Sequence, residues 1–312
     1  MEQDNEVKEQ LGDQTVSVKD TPVTVQSSES HARTILPTQA GGGCPSCGSA
    51  TGNSGGTTSF VYALGRVDAR FPRLSVEKEF AQATGREKTV GLTDREALSK
   101  VLSQRQNRYL VRQMCWVLTI EGLETYILVP RDPADLDMLV EALRPAPRPT
   151  DVDVVIGLRG PIAPPEICNG LMVPIVAFDQ MYSFDIDSLI KSIPPPKEIK
   201  AKEFTPAAEE LFMRIMQMAD NAGAADDHRA LNYLAVRYNA IYAKAAESFG
   251  QNSSLTAVEV RPSSLSVTRK VLDVVFSFTN RQTDVTEKFF TRVDVTEEFP
   301  FLVTKMSPYY DR

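Results

Sequence analysis

Two periodicities alternate along the chain. Phe60 to Val67 is a β-rich run and predicts a strand. Ser75 reads as the cap of a helix that Gly85 ends. Thr93 and Glu96 are spaced as a capping box, and Ala97, Leu98, Val101 and Leu102 give the helix behind them an apolar stripe. Val111 to Ile120 and Leu123 to Val129 are β-rich and separated by Glu121-Gly122, the pattern of a hairpin. Asp132 caps the next helix, with Pro133 at its first position and Leu136, Leu139, Val140 and Leu143 on one face. Val152 to Leu158 and Leu171 to Phe178 predict further strands, Pro174 placing the second at an edge or a bulge. A short helix begins at Asp185 and stops at Pro194-Pro195-Pro196.

The helical period is clearest after that spacer. Thr205-Pro206 starts a helix with Ala208, Leu211, Phe212, Ile215, Met218 and Ala219 on one face, and Gly223 ends it. Asp226 or Asp227 starts a second, with apolar positions from Leu231 to Phe249, ended by Gly250. The short connection implies an antiparallel helical hairpin. Period two returns at Leu272, Val274, Phe276 and Phe278, and Val285 to Val295 reads as the strand that follows a turn at Asn280-Arg281. The expected fold class is α+β, with mixed, largely antiparallel sheets and packed helices.

Residues 1–57 break both patterns. The first 43 are polar and aperiodic, and Gly41 to Gly56 holds seven of the chain's 17 glycines, so this stretch reads as a disordered tail and tether. The α+β body is expected over 58–312, with subdivisions near the proline-rich 145–150 and near 194–204. At 312 residues and 42% hydrophobic content the chain can bury a real core. Its formal net charge of −7, without a dense Lys/Arg block, argues against nucleic acid or an anionic membrane as partner. The acidic, polar start lacks the apolar stretch of a secretory signal, and no window approaches a membrane span. The expected location is the cytoplasm, where cysteines are reduced.

That expectation shapes the reading of the cysteines. Cys44-Pro45-Ser46-Cys47 is a CxxC in the tether, and two thiolates at that spacing can share one tetrahedral Zn²⁺. A zinc ribbon needs a second CxxC, which this chain lacks. A closed structural site therefore requires Cys44, Cys47, Cys115 and Cys168 together. Cys115, in a strand beside Trp116, reads equally as a core thiol, whereas Cys168 follows Pro164-Pro165 in an irregular segment suited to a ligand. A thioredoxin-like motif would sit between a strand and a helix start, not among glycines.

Little else resembles catalytic machinery. Of the two histidines, His31 lies in the tail and His228 in the first turn of a helix. No phosphate-binding glycine loop or nucleophile elbow is present in the sequence. Arg66, Arg70, Arg73 and Arg159 form a candidate anion site, against the plainer reading of exposed arginines. Met213, Met216 and Met218 give one helix a soft surface, either core packing or a groove for a peptide.

Several longer words carry a resemblance. They are Tyr62-Ala63-Leu64-Gly65-Arg66 with Arg70-Phe71-Pro72, Val76 to Ala81, Asn107 to Leu110, Gly122 to Ile127, Arg159 to Glu166, and the ending Phe299 to Arg312. From about Cys44 to Arg312 the chain resembles the C-terminal domain of the cyanobactin-maturation proteins PatA and PatG, a domain of unknown function. In that family the domain follows a subtilisin-like protease that cleaves and cyclises ribosomal precursor peptides. This chain has no such protease region, so the resemblance implies a role in the pathway without that activity. Its four cysteines also match the family's pattern, which resembles a zinc-binding set and implies a structural Cys₄ zinc.

Three readings follow. The first is a non-catalytic binding module for a precursor peptide or its modifying enzymes. The second is an enzyme with an unrecognised site around Arg66, Arg159 and Glu166. The third is a homodimerisation domain using the helical pair or the C-terminal hairpin.

Overall fold

The computed structural model describes residues 59–85, 92–195, 201–217, 220–266 and 268–310. The tail and tether expected over 1–57, with Cys44 and Cys47, lie outside the described residues, as do Met218 and Ala219.

Five strands close into a barrel. They are β1 (Phe60–Arg70), β2 (Cys115–Ile120), β3 (Leu123–Pro130), β4 (Asp151–Ile162) and β5 (Pro174–Asp185), in the order β1-β2-β3-β5-β4. β1 is shared between two neighbours: Phe60 to Gly65 pair with β4, and Arg66 to Arg70 pair with β2. Gly65 sits at this switch, where a Cβ would overlap the carbonyl oxygen of Thr119. All pairings are antiparallel except β3 with β5. Helices α1 (Leu74–Thr84), α2 (Asp94–Leu102) and α3 (Arg108–Gln113) separate β1 from β2, and α4 (Leu136–Ala142) separates β3 from β4. This order, with parallel third and fifth strands and a helix before the fourth, is the connectivity of the OB-fold barrel.

Alternate residues of all five strands, among them Val61, Trp116, Leu118, Tyr126, Val155 and Phe178, share one buried cluster with Val101, Leu110 and Leu139 of the helices. That cluster is the barrel interior. The opposite parity of β1 and β4, from Tyr62 and Leu64 to Val154 and Ile156, packs outward against a second core.

The second core is built by α5 (Ile186–Ser192), α6 (Ala201–Met216), α7 (Asp226–Arg237) and α8 (Ala240–Gly250), with an open antiparallel sheet. The sheet runs β6 (Ser253–Pro262), β7 (Val271–Asn280), β8 (Thr286–Asp294) and β9 (Phe301–Pro308) in sequence order. Leu211, Phe212, Leu231, Leu234 and Tyr242 lie between Val274, Phe276 and Phe278 of the sheet and the outer face of the barrel. Each such side chain contributes roughly 1.5–3 kcal/mol by leaving water.

The turn after α6 fastens this layer to β1. Tyr62 N donates to Gly223 O at 2.8 Å, Asn232 Nδ2 donates to Tyr62 O at 2.8 Å, and Tyr126 Oη donates to Ala222 O at 2.9 Å. Gly223 has φ +70, and a Cβ there would collide with the Tyr62 carbonyl. It acts as a joint, not as the end of a helix.

The α+β class with largely antiparallel sheets is the observed one. Several caps also hold: the Thr93–Glu96 box is complete, and Asp132 and Asp185 accept from Ala134 N and Ser188 N. Other expectations shift. Ser75 lies inside α1, whose cap position is Arg73. Val111 is helical, so β2 begins at Cys115. Pro206 is inside α6, not at its start. The single helix expected from Asp226 to Gly250 breaks at Tyr238, and α6 packs chiefly on α8 rather than forming a simple hairpin with α7. Among the described residues no helix is long and apolar enough to cross a membrane.

Candidate functional site

The structure brings two of the four candidate ligands together. Cys115 opens β2, and Cys168 lies in the β4–β5 connection, 53 residues away; a disulfide joins them. Both are buried, at 5% and 0% exposure, in a small apolar cluster with Val117, Ile127 and Ala163. The connection folds as a compact strap. Ala163 N donates to Val173 O, Gly170 N to Pro165 O, and Leu171 N to Cys168 O. Asn169 and Gly170 take positive φ, which turns the chain back towards the sheet.

The fit to zinc depends on the state of this pair. Sulfur donors held close together in an apolar shell suit Zn²⁺, but only as thiolates; in the disulfide neither offers one. No group of three or more His, Cys, Asp or Glu able to hold a metal occurs among the described residues.

The densest polar constellation lies where β4 begins and β5 ends. Asp153 is 1% exposed, and its Oδ2 accepts from Val67 N at 2.7 Å while its Oδ1 accepts from Ser183 Oγ at 2.5 Å. Burial raises its pKa, and those two hydrogen bonds with Arg144 and Arg95 offset only part of that rise. Arg144 reaches both Asp151 and Asp153, at 3.5 and 3.7 Å. Arg148 reaches Asp151 and Asp185. Arg95 pairs with Asp68 and donates to the carbonyls of Val67 and Arg144. Every one of these carboxylates is hydrogen-bonded or ion-paired, and together they clamp the start of β4 to β1 and to the end of β5.

A cleft of about 470 Å³ opens beside the clamp. Arg66, Asp68 and Glu121 lie on one wall, and Phe212, Met213 and Met216 of α6 on another. Arg66 Nη2 donates to the carbonyls of Arg148 and Pro149 at 3.2 and 2.8 Å, which holds the guanidinium in place. No carboxylate among the described residues lies within ion-pair distance of it. Met213 is 46% exposed, so this methionine is not core packing.

The four arginines of the candidate anion site are not brought together, although Arg70 and Arg73 line one cleft. Arg159 N donates to Ser59 O, at the far end of β1 from Arg66, about 23 Å away at the usual strand rise. Arg70 is tied to Glu124 at 2.6 Å. Arg159 and Glu166 are exposed, so no pocket forms around Arg66, Arg159 and Glu166 together. His228 stands at the start of α7, 4.0 Å from Asp227.

One buried group gave no signal in the sequence. Arg229 is 2% exposed and donates to the carbonyls of Val295, Glu297 and Glu298, while pairing with Asp226. Glu298 in turn meets Asp179 beside Arg131, and burial with that second carboxyl pushes its pKa up to about 7.

With this geometry in view, residues 198–309 match the family described as PatG C-terminal. A solved structure described as "PatG Domain of Unknown Function" superposes with TM-score 0.66 at 18% identity, over 80% of this chain and 98% of that one. A search of curated proteins gives no match.

Proposed function

We propose that this chain, which carries a PatG C-terminal domain over residues 198–309, is a non-catalytic binding module in ribosomal peptide biosynthesis of the cyanobactin type. Its ligand is a precursor peptide or an enzyme that modifies one. The observation that carries the reading is the cleft between the barrel and α6. One wall offers Arg66, a fixed guanidinium without an ion-pair partner among the described residues, beside Asp68 and Glu121; the other offers the exposed, adaptable Met213. Such a surface recognises a peptide without acting on it. Titration of a fluorescent precursor peptide into the full chain tests this. Binding that weakens at least tenfold, about 1.4 kcal/mol, in Met213→Glu is the expected result. Equal affinity in the variant overturns the assignment of the cleft.

We also propose that the reduced chain holds one structural zinc through Cys44, Cys47, Cys115 and Cys168. Four thiolates close the coordination shell and leave no open position for substrate, so the metal would stabilise and not catalyse. Metal analysis of the reduced protein is expected to give one equivalent of zinc, lost with any single Cys→Ser change. Zinc that survives Cys115→Ser would make Cys115 a core thiol only.

A further inference from the structure

In OB-type barrels the outer face of the second and third strands, flanked by the β1–β2 and β4–β5 connections, is where ligands lie. Here that face is covered. Val117 and Ile127, at 0% and 3% exposure, lie beneath Ala163, Cys168, Leu171 and Val173 of the strap. The strap contributes small and branched aliphatic side chains, and its buried cysteine is bonded to the first residue of β2. Its outer side is mixed, with Ile167 at 43% and Met172 at 61% exposed beside exposed Glu166 and Asn169. The described contacts therefore hold the segment on an apolar face through buried apolar packing, the Ala163–Val173 backbone hydrogen bond at its base, a few local turns and one covalent bond.

We infer that the Cys115–Cys168 bond is a thiol-operated latch on this strap. Closed, it keeps residues 163–173 over the β2–β3 face. Opened by a dithiol, it frees the strap and bares a face that takes an extended peptide of small and branched aliphatic side chains, the chemistry the strap itself presents. The exchange balances: a dithiol thiolate attacks one sulfur, the protein S–S bond breaks, the second dithiol sulfur resolves the mixed disulfide, and two protein thiols and one oxidised dithiol result. The peptide named here rests on the binding-module reading; the motion of the strap does not.

Hydrogen exchange of the full chain with and without dithiothreitol tests the latch. EDTA is kept in both samples so that zinc binding by the freed thiols cannot substitute for the bond. The expected result is at least a tenfold rise in exchange across 163–173 on reduction, and binding of a labelled peptide of alternating Val and Ala to the reduced protein alone. The double variant Cys115→Ser, Cys168→Ser should behave as the reduced protein without dithiol; if it does not fold, the comparison of the wild-type chain in its two states still decides. Unchanged exchange, with alkylation and mass spectrometry showing both thiols free, overturns the latch. An opened strap with no peptide bound overturns the assignment of the face, and leaves the methionine cleft to its own titration.

Discussion

The two halves of the described structure solve the same problem in different ways. The barrel removes strand edges by closure and buries its strands on both sides, so β4 is buried without interruption from Asp151 to Gly157. The β6–β9 sheet stays open and relies on helices for one face only. Its other face carries arginines over aromatic rings: Arg292 over Phe290, Arg261 over Tyr309, and Phe290 against Tyr309 at 5.6 Å. These cover Val275, which is 1% exposed although it points away from the helices. Its edge strands end at Pro262 and Pro308, which cannot donate to another chain. Closure thus lets the barrel carry a covalent strap, whereas the open sheet is held by individual side chains reaching across it.

The largest test of that contrast is the disulfide. A cross-link across 53 residues restricts the unfolded chain by about 4 kcal/mol in the chain-entropy account. Urea unfolding of the protein with and without dithiol, in chelator, should differ by roughly that amount. A difference near zero would mean that closure alone holds the barrel. Next, Arg229→Met should cost about 3 kcal/mol, because it strands three carbonyls at the joint of α7 with the β8–β9 connection, while Asp226 keeps Lys270. Thermal unfolding measures it, and a neutral result would show that the open sheet does not depend on this tie. Gly223→Ala should cost about 2 kcal/mol, since it forces a side chain into positive φ against β1. If the wild-type and variant midpoints coincide, the two halves are not joined through this turn.

The smallest effect is a pH dependence. Glu298 keeps its proton in the folded state up to about pH 7, whereas the unfolded chain releases it near the ordinary value of 4.5. The folded state binds more protons between these limits, so stability falls as pH rises through that window. Glu298→Gln should flatten the thermal midpoint between pH 4.5 and 7 relative to wild type. A slope unchanged by the substitution would place the titration elsewhere.

Local signals were legible where one residue type performs one local task. The Thr93–Glu96 box, the Asp132 and Asp185 caps and the Glu121-Gly122 turn, with φ of 49 and 84, all need only near neighbours. The apolar face of α6 was legible because helical period alone points Leu211, Phe212 and Ile215 inward. The break at Tyr238 was not. Its hydroxyl accepts from Met306 N at 2.8 Å, a contact with β9 that no local pattern carries. β6 and β9 also escaped, since Thr256, Glu259, Arg261 and Lys305 dilute their apolar alternation at exposed edges.

The candidate site divides in the same way. Sequence singled out Cys115 and Cys168, Arg66, and the methionines of α6, because residue type and composition suffice to flag such groups. It could not join them: it set Arg66 with Arg159, and it left open whether Cys115 is a ligand or a core thiol. Which residues meet depends on strand closure, and closure depends on pairings such as Arg66 with Thr119 and Ile127 with Ile175. These are long-range choices, made when burial on both faces of a strand outweighs the entropy of bringing distant segments together. Sequence by itself determined most of the elements, the α+β class and several chemically unusual residues. Only the tertiary structure decided that the barrel closes, that the strap lies over β2 and β3, and that Arg66 faces methionine across a cleft.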